Sequence, residues 1–400
     1  LDVDTRTAYE DRKPSIVIWQ RVAGISNQPK EIKMLKKLCA TVATLGVLAS
    51  PLQAGDLSGM SWDGIVAQAK EEGKLTWYVW YLQDDFRRAM KSFEEEYGIS
   101  VTIPDGNNAG NAEKMLAEKD RDTGDIDVFA WGYDSFETVE LSALFKSLGT
   151  LPADDGRVSK LAGVDGGEHV LAFWGNQSGI AYDPAKVSAG DLPQSVEDFA
   201  AFWAANPGKF GFNYEKGGSG PSFYQNVLRN VAGTDFTNGE VSDERLAGLK
   251  PGFDFFNKHA ANYIITASNV DNINRVSDKE LWMAPAWEDH LAGLQNRGEV
   301  RKEIKFYIPE MGMNGGGNGV AIPLNAPHPA AAYVFVNWLT SPETQTMFNR
   351  DFGTAPMNAA ADDSAALVPN AQRAFRQPWG KQPFRSKVEE AFVDNVILER

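Results

Sequence analysis

Two stretches of the chain gather side chains suited to gripping a small solute. Residues 76–85 read TWYVWYLQDD, and residues 284–290 read APAWEDH, where Trp287 and Glu288 stand side by side. Aromatic faces beside carboxylates or amides suit two kinds of ligand. An organic cation is drawn to the ring faces and to negative charge, whereas a sugar or polyol stacks its C–H faces and hydrogen bonds through its hydroxyls. Composition does not separate the two. Further candidates are Tyr133 and Asp134 directly after Gly132, Trp174, Asn176 and Gln177 in FWGNQSG, and Asn111 in DGNNAGNAEK. Ser219 in EKGGSGPS and Asn318 in GMNGGGNG complete the set.

Each candidate also has a plainer role. In a covered parallel sheet both faces of a strand are buried, so Trp77 and Tyr78 read as core. Trp80 and Tyr81 fall at the strand's end, where ligands of open α/β sheets sit, and are either cleft or core. Asp84 and Asp85 suit a helix start, where free N–H groups and the helix dipole favour negative charge. Asn111 is either an N-cap or a polar contact. Asp134 either caps the turn that follows it or enters the cleft with Tyr133.

Catalytic motifs are poorly matched. GMNGGGNG lacks the GKS/T ending and the GxGxxG spacing of phosphate loops, and reads as a flexible turn feeding a strand. Gly217-Gly218-Ser219-Gly220-Pro221 departs from GxSxG at its last position. The four histidines, His169, His259, His290 and His328, have no HExxH or paired spacing, so neither a metal nor a cofactor is expected. An exported lyase or hydrolase using cleft carboxylates as acid and base is the enzymatic alternative.

Bulk properties narrow the class. A chain of 400 residues, 43% hydrophobic, buries a sizeable core and is long enough for two units. The net charge of −15, without a long basic run, argues against nucleic acid and an anionic membrane surface as partners. From Met34 a basic start, an apolar run over residues 38–49 and a small residue at Ala54 have the layout of an export signal, with cleavage expected after Ala54. Residues 1–33 read as translated upstream sequence. Cys39 is the single cysteine and falls within the 34–54 signal, so a cysteine-free exported chain without stable membrane insertion is expected.

The elements that must position the candidates alternate. Residues 75–81 read as strand and 84–96 as a helix with Phe86, Met90 and Phe93 on one face. Strands at 100–103 and 126–131 flank a helix at 111–120, an order that argues for a mostly parallel sheet covered by helices. A second set begins with a strand over 170–182, followed by a helix opened by a Ser195/Asp198 capping box. Later come a strand at 306–308, an extended stretch at 319–323 and a helix at 330–339.

Four segments together carry a family resemblance: KLTWYVWYLQDDFRRAMKSFEEEYGISV, GDIDVFAWG, FWGNQSGIAYDPAKV and GVAIPLNAPHPAAAYVFVNWLTSPETQ. The chain resembles the family 1 extracytoplasmic solute-binding proteins of ABC transporters, a group with spermidine/putrescine, thiamine, iron and maltose binders. The resemblance implies an α/β, two-lobed periplasmic binding protein fold of type II. Each lobe is then a mostly parallel sheet flanked by helices, and hinge strands join the two.

Carried onto this chain, lobe 1 spans 57–172 plus 286–324 and lobe 2 spans 176–282 plus 328–400, with crossings near 173–177, 283–285 and 324–327. Its implied partners are a small ligand held in the cleft and the transmembrane subunits of an ABC permease, with the receptor itself a monomer. A ligand-sensing module is the remaining alternative. Polyamine-binding members place a tryptophan and an aspartate where this chain has Gly316 and Asn318, which weakens a polyamine reading. No adjacent tyrosine pair suggests iron.

Overall fold

The computed structural model describes residues 57, 59–368 and 370–400. The expected signal at 34–54, the stretch 1–33 and Cys39 lie outside the described residues.

Three parallel strands, Ser100–Thr102, Lys74–Tyr78 and Val128–Gly132, lie side by side in that order. The sheet continues antiparallel through Met313–Ala321 to the first half of the long strand Leu171–Tyr182. The second half of that strand belongs to another set of pairings. Ser178–Tyr182 pair with Met283–Trp287, and Lys305–Tyr307 line the opposite edge. Phe210 bridges to Met283, which brings up the parallel pair Gly211–Asn213 and Ile264–Thr266. One twelve-residue strand thus passes from the first sheet region to the second.

Each region has its own core. In the first, the buried Trp77 ring meets Phe86 and Phe173 edge-on at 4.9 and 5.6 Å. In the second, Trp203, Phe210 and Phe223 cluster, and Tyr224 stacks flat on Phe392 at 3.9 Å. Fully burying one such side chain contributes about 1.5–3 kcal/mol, so each cluster is a large share of what stabilises its own region. Local signals agree with the elements they open. Ser195 Oγ accepts the Asp198 N–H at 3.1 Å and Asp198 accepts the Ser195 N–H at 3.0 Å, closing the capping box of helix Val196–Ala205.

Several expectations need correcting. The helix expected over 84–96 is two, Gln83–Ala89 and Lys91–Tyr97, meeting at Met90. The helix expected from Asn111 begins earlier and spans Asn108–Glu118, with Asn107 as its cap through the Gly110 N–H at 2.9 Å. The glycine run is not a flexible turn but the body of strand Met313–Ala321. A Cβ on Gly317 would come within 2.4 Å of the Trp174 carbonyl oxygen, and one on Gly319 within 2.6 Å of Val170. The glycines are what let this strand lie so close to its neighbours.

The lobe boundaries also fall elsewhere. Leu291, Leu294, Val300, Ile304 and Phe306 pack in the second core, so residues 286–311 belong with lobe 2 rather than lobe 1. The second crossing is the glycine strand, not 283–285. Helix Pro329–Leu339 is buried almost throughout and packs in the first core, where Ala331 N–H donates to Glu72 at 2.7 Å. Phe348 and Phe352 follow it there, and the chain returns to the second core only by Val368. An all-round apolar helix needs a partner on each side, and sequence spacing alone does not say which lobe supplies it.

Candidate functional site

A cavity of about 430 Å³ lies between the two lobes. Lobe 1 contributes Trp80 and Tyr81, which sit just past strand Lys74–Tyr78 in the turn into helix Gln83–Ala89. The turn is made by Leu82 in a left-handed conformation, φ 48°. Gln83 holds it by donating to the Val79 and Pro104 carbonyls at 2.8 and 3.0 Å. Tyr81 accepts a hydrogen bond from Asn318 Nδ2 at 2.8 Å, and burial, with Asp289 nearby, pushes its phenol well above the ordinary range. It stays a neutral hydroxyl.

From lobe 2 come Trp287 at the end of its strand and Trp379, their rings 6.3 Å apart. Gly218 sits beside both; a Cβ there would be 3.2 Å from Trp287 and 3.5 Å from Trp379. Trp379 is positioned by its neighbours, since Asn314 Nδ2 donates to the Pro378 carbonyl at 2.7 Å and Arg376–Gln377 pair with Met313–Asn314. The Arg385 guanidinium lies over the Trp379 ring at 3.9 Å. It also reaches Glu389 at 3.1 Å and, across the cleft, Asp134 at 3.6 Å.

Of the twelve candidates, Trp80, Tyr81, Tyr133, Asp134, Asn176, Trp287 and Asn318 line this cavity. Tyr133 borders the cavity as a fully buried residue, its hydroxyl donating to the Ser159 carbonyl at 2.5 Å. The other five lie outside the cavity lining. Trp174 is fully buried behind the wall with its indole N–H on Asp289 at 2.9 Å, and Gln177 ties the crossing strands through the Met313 and Asn314 carbonyls at 3.1 and 3.2 Å. Ser219 donates to Asn269 Oδ1 at 2.6 Å, and Asn111 is buried on its helix while Asn108 reaches the cavity.

Glu288, fully buried, accepts both arms of Arg373 at 3.0 and 2.9 Å. Burial raises its carboxyl to about 7 despite that partner.

Sequence reading missed Asp289, His290, Trp379 and Arg385, which all line the cavity. The first two were one helical step from named residues: where strand Met283–Trp287 turns into helix Glu288–Asn296, Glu288 pairs with Arg373 outside the cavity lining and the next two residues line it. Trp379 and Arg385 lie in a tail that no motif marked.

The same architecture is what comparison with known proteins returns. A family model described as bacterial extracellular solute-binding protein matches residues 88–374. The chain belongs to that family. No curated protein matches this solute-binding chain. Among solved structures, its fold is similar to the spermidine/putrescine ABC transporter substrate-binding protein PotD of Streptococcus pneumoniae, at 15% identity and a TM-score of 0.62 over 82% of this chain and 99% of that one. Iron-bound HitA of Pseudomonas aeruginosa matches at 20% identity and a TM-score of 0.57, covering 80% and 99%. AfuA of Actinobacillus pleuropneumoniae, with fructose-6-phosphate bound, matches at 19% identity and a TM-score of 0.57, covering 82% and 99%. Three neighbours with three different cargoes share the two-lobed fold.

Proposed function

We propose that this chain is the exported receptor of an ABC importer, which takes up a small polar solute between its lobes and hands it to the permease without turning it over. The observation that carries the reading is the cavity itself. Aromatic and polar side chains of both lobes meet there across the two crossing strands, so a solute touching both walls favours lobe closure over opening. Solute binding is the family's property, and the neighbours named as ABC transport proteins support the import role. Among the described residues no helix is long and apolar enough to cross a membrane, which accords with an exported receptor that meets its permease from outside.

Capture without turnover is supported by the state of the cavity's carboxylates. Asp134 faces Arg385, and Asp289 accepts from Trp174 and from the His290 backbone N–H at 3.0 Å, so neither is set against a nucleophile. A thermal-shift library of amines, polyols, sugars, amino-acid derivatives and phosphorylated sugars tests the reading. One chemical class is expected to raise the melting temperature and to be recovered unchanged by mass spectrometry. Chemical conversion of a tightly bound compound would contradict it.

A further inference from the structure

Five glycines line the cavity among the described residues, and four of them have a reason within the fold. A Cβ on Gly132, Gly217, Gly218 or Gly317 would come within 2.9, 2.2, 3.2 or 2.4 Å of a neighbouring atom. Gly316 is the exception. A Cβ there meets one atom, the Ala162 Cβ at 3.9 Å, which is an ordinary contact, and no positive φ asks for glycine at this position. A glycine inside a strand gives up side-chain packing and costs backbone entropy. Without a steric reason in the fold, it serves whatever approaches from the cavity.

Ala162, the neighbour across that space, is the second anomaly. It opens the two-residue turn between strands Lys160–Leu161 and Val164–Asp165, with φ 54° at Ala162 and 85° at Gly163. A turn with two positive φ values takes Asn, Asp or Gly at its first position, because a residue with a Cβ is strained there. Alanine bears that strain and adds only a methyl group to the lining. The two positions together leave a bare patch, and Asn176, paired with Gly316 in the neighbouring strand, supplies an amide beside it. A linear chain is one methylene wide and passes a Cβ without loss. A ring needs the breadth that two missing side chains leave, and it offers flat faces to the indoles of Trp80, Trp287 and Trp379 in the same cavity.

We propose that Gly316 and Ala162 set the receptor's shape specificity: the bare patch receives a ring of the solute, so cyclic solutes are selected over linear ones of equal carbon number and charge. This rests on the receptor reading above. Three matched pairs test it by titration calorimetry in the unmodified protein: myo-inositol and sorbitol, trans-1,4-diaminocyclohexane and 1,6-diaminohexane, cyclohexane-1,4-dicarboxylate and suberate. In each pair that binds, the ring is expected to bind about tenfold or more tighter. Gly316→Ala is expected to weaken binding of that ring about tenfold or more, while the unliganded melting temperature stays level or rises by about 1–2 °C. Ala162→Asn is expected to do the same, since asparagine relieves the turn and fills the patch.

A linear member binding at least as tightly as its ring would overturn the assignment, as would a Gly316→Ala variant that binds the ring like the parent. A drop of several degrees in the unliganded Gly316→Ala variant would also overturn it, because the glycine would then serve the fold. If none of the six compounds binds, the ring assignment fails. A hit of another kind in the thermal-shift library then leaves the receptor reading standing, and a library with no hit removes both.

Discussion

The two walls of the cleft are built in different ways. Trp80 and Tyr81 extend the first core: Tyr81 meets Phe86 and Trp174 edge-on at 5.6 and 5.7 Å, and Trp80 meets Tyr81 at 4.9 Å. Trp287 and Trp379 come from segments some ninety residues apart, and what holds them is a glycine, a stacked arginine and a carbonyl bond. One wall is fixed by packing and the other by assembly. The difference separates residues whose loss unfolds the protein from residues whose loss empties the cleft.

Trp174 lies just behind both walls and should show the largest effect. Trp174→Ala removes a fully buried ring and the indole donor of Asp289, and is expected to cost about 3–5 kcal/mol in urea denaturation. A loss under about 1 kcal/mol would mean the ring serves the ligand rather than the fold. On the assembled wall, Trp287→Ala should lower solute affinity by about 2 kcal/mol in titration calorimetry while changing the unliganded melting temperature little. Equal damage to stability would erase the distinction between the walls.

Glu288 sharpens the comparison from the rear of lobe 2. Its folded value of about 7 lies above the ordinary 4.5, so the folded state holds the proton more tightly. Its contribution to stability is full below pH 4.5 and is lost as the pH rises through 7. Urea midpoints should therefore fall from pH 5 to pH 8 more in the parent than in Glu288→Gln; identical slopes would remove the raised carboxyl from the account. The smallest effect belongs to the mouth of the cleft, where Lys381 reaches Glu137 at 2.6 Å with both side chains about half exposed. Lys381→Ala should change affinity by less than about 1 kcal/mol, a difference that vanishes at high salt.

The same contrast explains what was legible in the sequence. Trp80 and Tyr81 end an aromatic strand and are followed at once by a helix, so position along the chain was enough to mark them. Trp379 and Arg385 reach the cleft only because Arg376–Gln377 pair with the glycine strand, a contact between segments about sixty residues apart. Glu288 had the right residue type and the right loop but the wrong side of a helix start, and its neighbour Asp289 took the place expected for it. The glycine run misled for a related reason: glycines were read as freedom, whereas Gly317 and Gly319 serve close approach. Residues 286–311 and helix Pro329–Leu339 were given to the wrong lobes because apolar periodicity reports that an element is buried, not against what.

The central claim is that a solute is held between the two aromatic walls. Titration calorimetry of the parent and of the Trp287→Ala/Trp379→Ala double variant, with the compound that most raises the melting temperature, tests it directly. The account predicts one site per chain in the parent and about a hundredfold weaker Kd in the double variant with its fold intact. An unchanged Kd in a folded double variant would contradict it.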